Sequence, residues 1–159
     1  MAELYPWFVL MHLVGLVIFA VCHGASIFMA YQVRGQRDPA TVAAILGVGG
    51  RSIGPMYLGL VLLAVGGLGA AAGGDLWTEP WVIASIVTFI VVLVVMWSVA
   101  SPYYSGLRTS LAEVDADGRP TIDPGVLATQ LASRRLDVLL AVGGIGILIL
   151  VWLMVIKPG

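Results

Sequence analysis

Charged side chains are scarce in this sequence, at 11% of 159 residues, against roughly 25% in an ordinary soluble domain. The apolar share is 60% and mean hydropathy is +1.01. Such a chain cannot cover itself with a wetted surface, which excludes a soluble globular fold. Cysteine is nearly absent too. Cys22 stands alone, so the chain can form no disulfide within itself and no cysteine-built zinc or iron–sulfur centre. Net charge is −1, and without a basic field there is no basis for a nucleic-acid partner. A phosphate-binding glycine loop, a nucleophile elbow and a zinc-protease helix motif are all missing. No membrane-length block is broken at its midpoint or carries a buried acid–base pair, which argues against a stand-alone transporter. Enzymatic activity is left open.

What the sequence does have is apolar blocks of membrane length. A hydrocarbon core of about 30 Å takes about 20 helical residues at roughly 1.5 Å each. Four blocks meet that length, at about 6–31, 53–73, 81–101 and 136–156. The start of the chain lacks the basic region of a cleavable signal, so the first block is expected to remain as a helix. Tyr5 and Trp7 suit an interfacial aromatic belt, and Pro6 suits a first helical turn.

Basic residues are placed asymmetrically. Arg34, Arg37 and Arg51 lie between the first and second blocks, and Arg108, Arg119, Arg134 and Arg135 lie between the third and fourth. Only Lys157 lies on the other side. The positive-inside rule then puts segments 32–52 and 102–135 in the cytoplasm and both termini outside. The expected fold is a single all-α domain, a four-helix transmembrane bundle in the cytoplasmic (inner) membrane.

Short helices are expected on the cytoplasmic side. Asp38-Pro39 and Asp123-Pro124 are both N-cap acids followed by proline. The first pair should open a helix over 40–46 that stops at Gly47. The second should open a helical extension running unbroken into the fourth span, with Asp137 paired to Arg134 three residues before it. Asp115-Ala116-Asp117-Gly118 resembles the opening of a calcium loop, but Pro120 and Val126 occupy its glycine and terminal glutamate positions. It reads as a turn.

Chemistry, if there is any, concentrates on the first helix. Both histidines, His12 and His23, lie there. Eleven residues at about 100° each bring them within roughly 20° of one another on the helix face, about 16 Å apart along the axis. Titratable groups at such depths turn toward a bundle interior, a partner or a pathway. Three roles are open: hydrogen bonds to neighbouring helices, ligation of b-type haem or of copper or another metal, and a proton or quinone site. Two histidines so spaced cannot share one iron. Bis-histidine ligation needs a second chain, and His/Met ligation within the chain would pair His23 with Met96 or His12 with Met154. Glycines at 59, 66, 67, 69 and 73, and again at 143, 144 and 146, favour close helix packing, a dimer face or a seat for a flat cofactor.

The segments His12-Leu13-Val14-Gly15, Cys22-His23-Gly24-Ala25-Ser26, Arg34 to Pro39, Arg51-Ser52-Ile53-Gly54-Pro55-Met56-Tyr57 and Ser101-Pro102-Tyr103-Tyr104 together resemble a bacterial family of small integral membrane proteins of unknown function. More distantly, the early histidine is similar to that of the copper-resistance protein D family and the HemJ-type protoporphyrinogen oxidases. That resemblance implies copper or haem handling in a helical membrane bundle, and it rests on His12 alone. The catalytic lysine of the HemJ type has no counterpart, since the single lysine is Lys157, and oxidase activity loses its support. The expected partners are the lipid bilayer and either further copies of the chain or the subunits of a larger membrane complex. The competing expectation is a non-enzymatic accessory subunit.

Overall fold

The structure, a computed structural model, describes residues 2–159. Apart from one isolated bridge between Val114 and Pro120, the described residues contain only helices and turns. A 3-10 turn at Ala2–Leu4 leads into α1 (Tyr5–Arg34), followed by α2 (Pro39–Gly73), α3 (Pro80–Ala112), α4 (Pro124–Leu131) and α5 (Arg135–Ile156). Four helical segments are long and apolar enough to cross a membrane. The fold is an all-α four-helix bundle.

The helices outrun the spans read from hydropathy. α2 has 35 residues and passes straight through Gly47, Gly49, Gly50 and Pro55, so Gly47 is not a stop. Gly47 itself is exposed with nothing within 4 Å of a Cβ position, but the residues before it, Val42, Ile45 and Leu46, pack on the buried cluster, and that packing outweighs glycine's propensity cost of about 1 kcal/mol. α3 likewise continues through Pro102 to Ala112. At about 1.5 Å per residue, α2 is roughly 50 Å long and extends well past a 30 Å core.

The fourth segment behaves in the opposite way. The expected continuous extension is broken at 132–134, between α4 and α5. Ala132 N–H closes α4 onto the Ala128 carbonyl, and the Ser133 hydroxyl accepts from Arg135 N–H at 3.3 Å as α5 begins. Both Asp-Pro starts are as expected. Asp38 accepts from the amides of Ala40 and Thr41, and Asp123 from those of Gly125 and Val126.

Both termini lie at one end of the bundle, beside the turn joining α2 and α3. A Cβ on Gly74 would sit 2.9 Å from the Tyr5 ring, and one on Gly159 would sit 3.1 Å from Pro80. Lys157 Nζ lies 5.3 Å from the centre of the Trp81 ring. The arginine-bearing segments occupy the opposite end. There Val33, Val42, Tyr103, Leu107, Leu111, Leu127, Leu131, Leu136 and Leu139 form one buried cluster drawn from all five helices. Val42 and Leu127 are completely shielded. All of this cluster but Leu136 and Leu139 falls outside the apolar spans read from the sequence, and burying a Val or Leu side chain away from water is worth about 1.5–3 kcal/mol.

Within the spans lipid is as apolar as leucine, and packing must come from close contact instead. Gly15, Gly59 and Gly66 are buried where α1 meets α2. A Cβ on Gly15 would lie 2.7 Å from the Gly59 carbonyl oxygen, and one on Gly66 would strike the His12 backbone nitrogen. The pairing of α3 with α5 uses Gly146, whose Cβ would lie 2.5 Å from Val92. The bundle is thus two hairpins, α1/α2 and α3/α5, bound together most firmly at the arginine end.

Asp115-Ala116-Asp117-Gly118 forms a turn. Asp115 Oδ1 accepts from the amides of Asp117 at 2.9 Å and Arg119 at 2.8 Å, and Gly118 takes a φ of +74°, a conformation that glycine adopts without strain.

Candidate functional site

His12 lies against α2. Its Nδ1 is 2.7 Å from the carbonyl oxygen of Leu63, and the acceptor requires that Nδ1 carry the proton. The ring sits over Gly67, where a Cβ would lie 2.9 Å from Nδ1 and 3.2 Å from Cε1. Small residues at Gly66 and Gly67 therefore create the room in which the imidazole reaches across. The contacts that hold His12 are with α2, at the Leu63 carbonyl and over Gly67.

His23 has different neighbours. Its ring stacks on Phe19, one helical turn earlier, with centroids 5.2 Å apart and planes 11° from parallel. That stack fixes the plane of the imidazole. A Cβ on Gly143 of α5 would lie 3.2 Å from His23 Nε2, 3.6 Å from Met96 Cε and 3.7 Å from Met96 Sδ. A ring nitrogen of α1 and a thioether of α3 thus converge on one glycine of α5. A Cβ at Gly143 would meet Met96 at ordinary contact distance and would require the His23 ring to give by a few tenths of an ångström. The two histidines share a face of α1, as their spacing requires, yet that face meets α2 at His12 and α3 and α5 at His23.

Cys22 is a free, half-buried thiol on the neighbouring position of α1. Among the described residues no three His, Cys, Asp or Glu side chains gather closely enough to hold a metal ion. His23 and Met96 approach a common point at Gly143. A haem macrocycle has no room in the α1/α2 seam beside His12, which closes to backbone contact at Gly15, Gly59 and Gly66.

A second polar group closes the arginine end. Arg34 Nη1 and Nη2 donate to Asp137 Oδ1 and Oδ2 at 2.6 and 3.1 Å. The partner of Asp137 is therefore Arg34 of α1 and not Arg134. A cross-helix bidentate pair brings together groups 103 residues apart, which no local pattern announces. Nearby, the hydroxyl of buried Tyr103 has no hydrogen-bond partner among the described residues, and neither has Gln130 Oε1, although Gln130 Nε2 donates to Ser110 Oγ at 2.9 Å.

Compared with protein-family models, with curated proteins and with solved structures, the chain finds no match in any of the three.

Proposed function

We propose that this chain is a multi-pass protein of the cytoplasmic membrane that handles a metal-centred cofactor through its first helix, with electron transfer or cofactor delivery as the task. The observation that carries this reading is the convergence of His23 Nε2 and the Met96 thioether at Gly143. An imidazole is costly to place in a membrane bundle and is retained where it meets a partner. Here the ring stacks on Phe19, and Nε2 and the Met96 sulfur lie 3.2 and 3.7 Å from the Cβ position at Gly143. On this reading His12 has a separate, structural role, joining α1 to α2 through the Leu63 carbonyl.

The test is an optical spectrum of the full-length protein purified from native-like membranes, oxidised and then dithionite-reduced, together with metal analysis. The expected result is a bound metal, or haem bands, altered by His23→Ala and untouched by His12→Phe. A protein free of both metal and haem would sink the proposal.

One observation favours a second reading, an accessory subunit of a larger membrane complex. Gly24, Gly54, Gly106 and Gly144 have no neighbour within 4 Å of where a Cβ would stand, so small residues face outward as well as inward. Such positions suit helices contributed by another chain. Co-purification of a stable partner with a metal-free protein would favour it.

A further inference from the structure

We infer that the junction of α1 and α5 at the arginine end is a docking site for the headgroup phosphate of an anionic phospholipid, held by Arg34, Arg134 and Arg135. The inference stands apart from the cofactor reading above. Its first support is a surplus of positive charge. Arg34 and Asp137 form the one ion pair among the described residues, so Arg134 and Arg135 have no carboxylate at pairing distance, and both are exposed. Arg134 stands three residues before Asp137 and acts electrostatically on the carboxylate that Arg34 binds. Arg34 gives two of its five N–H donors to Asp137, and the others have no partner among the described residues. Three arginines therefore share one acid, and the start of α5 adds the positive end of its helix dipole.

The second support is what lies beside those charges. A narrow cleft lined by Ala30, Tyr31, Arg34, Leu136 and Leu140 runs between α1 and α5. Ala30, Tyr31, Leu136 and Leu140 belong to the apolar blocks 6–31 and 136–156, and Arg34 lies just beyond the first block, at the arginine end. The cleft is too narrow to take in even a water molecule, so a ligand lies across its mouth. A phospholipid matches that order, with its phosphate on the guanidinium groups and its hydrocarbon along the apolar side chains. Guanidinium groups bind phosphate through paired N–H···O bonds, and arginines flanking a membrane helix attract anionic headgroups. A free phosphate matches only the charged half. A zwitterionic lipid brings a cation of its own to the same place.

The experiment is a titration of the full-length protein in a neutral detergent with short-chain phosphatidylglycerol, read by native mass spectrometry. Short-chain phosphatidylcholine and inorganic phosphate are the other arms. The expected result is saturable binding of phosphatidylglycerol about tenfold tighter than phosphatidylcholine, with no displacement by inorganic phosphate at equal concentration. Arg134→Gln and Arg135→Gln should each weaken it about fivefold, the effect of one arginine at an anionic surface, and the double variant about twentyfold. Arg108, equally exposed but placed beside Gly50 of α2, is the control, and Arg108→Gln should leave binding unchanged. An unchanged melting temperature in lipid-free detergent establishes that these variants are folded. Equal losses in Arg108→Gln and Arg134→Gln would reveal a diffuse basic surface and overturn the site. Equal affinity for the two lipids would overturn the choice of an anionic ligand. Inorganic phosphate binding as tightly as phosphatidylglycerol would overturn the choice of a lipid.

Discussion

The Arg34 guanidinium and the Asp137 carboxylate form a two-point pair across the arginine end of the bundle, with Nη1 2.6 Å from Oδ1 and Nη2 3.1 Å from Oδ2. It is the one ion pair found among the described residues, and it ties the first hairpin to the second beside the buried cluster. Both groups are partly open to solvent, so the pair's value lies in orientation more than in strength. Asp137→Asn and Arg34→Gln should each lower the melting temperature in detergent slightly, and by less at high salt. The double exchange Arg34→Asp with Asp137→Arg should recover part of the loss. An exchange that performs no better than the worse single variant would show that the pair does not couple the hairpins.

Glycine contacts hold α1 to α2. A Cβ on Gly66 would meet the His12 backbone and lie 2.9 Å from the Phe8 carbonyl oxygen, and backbone cannot yield as a side chain can. Gly66→Ala should therefore cost about 1–3 kcal/mol, the usual range for overpacking. Gly144→Ala, with open space around it, should be neutral or slightly stabilising through helix propensity. Unfolding in mixed micelles checks both. Equal effects at the two positions would contradict the packing described.

The two histidines should separate by function. His12→Phe removes the bond from Nδ1 to the Leu63 carbonyl, and interhelical bonds of this kind are worth about 0.6–1.7 kcal/mol in membranes. Stability should fall by about that amount with metal content unchanged. His23→Ala should do the reverse, reducing bound metal with less effect on stability. A loss of metal in His12→Phe at normal stability would reassign the ligand.

Asp38 gives the first turn of α2 a pH dependence. Its carboxylate accepts from the Thr41 hydroxyl, the Thr41 amide and the Ala40 amide, and these bonds, the hydroxyl first, hold its carboxyl below the usual carboxylate range. Because the folded value is depressed, the stabilisation is full above the unfolded value near 3.9 and is lost as pH falls through the lower folded value. Amide protection at 40–42, corrected for intrinsic exchange, should fall across that acidic window. Asp38→Asn should flatten the dependence while keeping the cap. A wild-type profile as flat as that of Asp38→Asn would remove the carboxylate from the cap.

Much of the bundle was legible in the sequence because membrane helices are set by length and apolarity, and those are local. The arginines at 34, 37, 51, 108, 119, 134 and 135 fall at one end and both termini at the other, as expected from charge placement alone. His23 and Met96, paired as candidates from the sequence, both approach Gly143. The failures all required knowledge of neighbours. Gly47 looks like a stop by intrinsic preference, but the packing of Val42, Ile45 and Leu46 on the buried cluster carries the helix through it. The break at 132–134 carries no glycine or proline, and it follows from the local capping around Ser133. Arg134 was the nearest base to Asp137 in sequence, and Arg34 is its partner in space. The partner of His12 is likewise set by space, since the imidazole turns to α2 where Gly66 and Gly67 leave room for it.

The most direct measurement is metal analysis of the full-length protein together with its optical spectrum, oxidised and then dithionite-reduced. The expected result is a bound metal or haem that His23→Ala removes and His12→Phe retains. A protein free of both, or a bound cofactor indifferent to His23→Ala, would contradict the account.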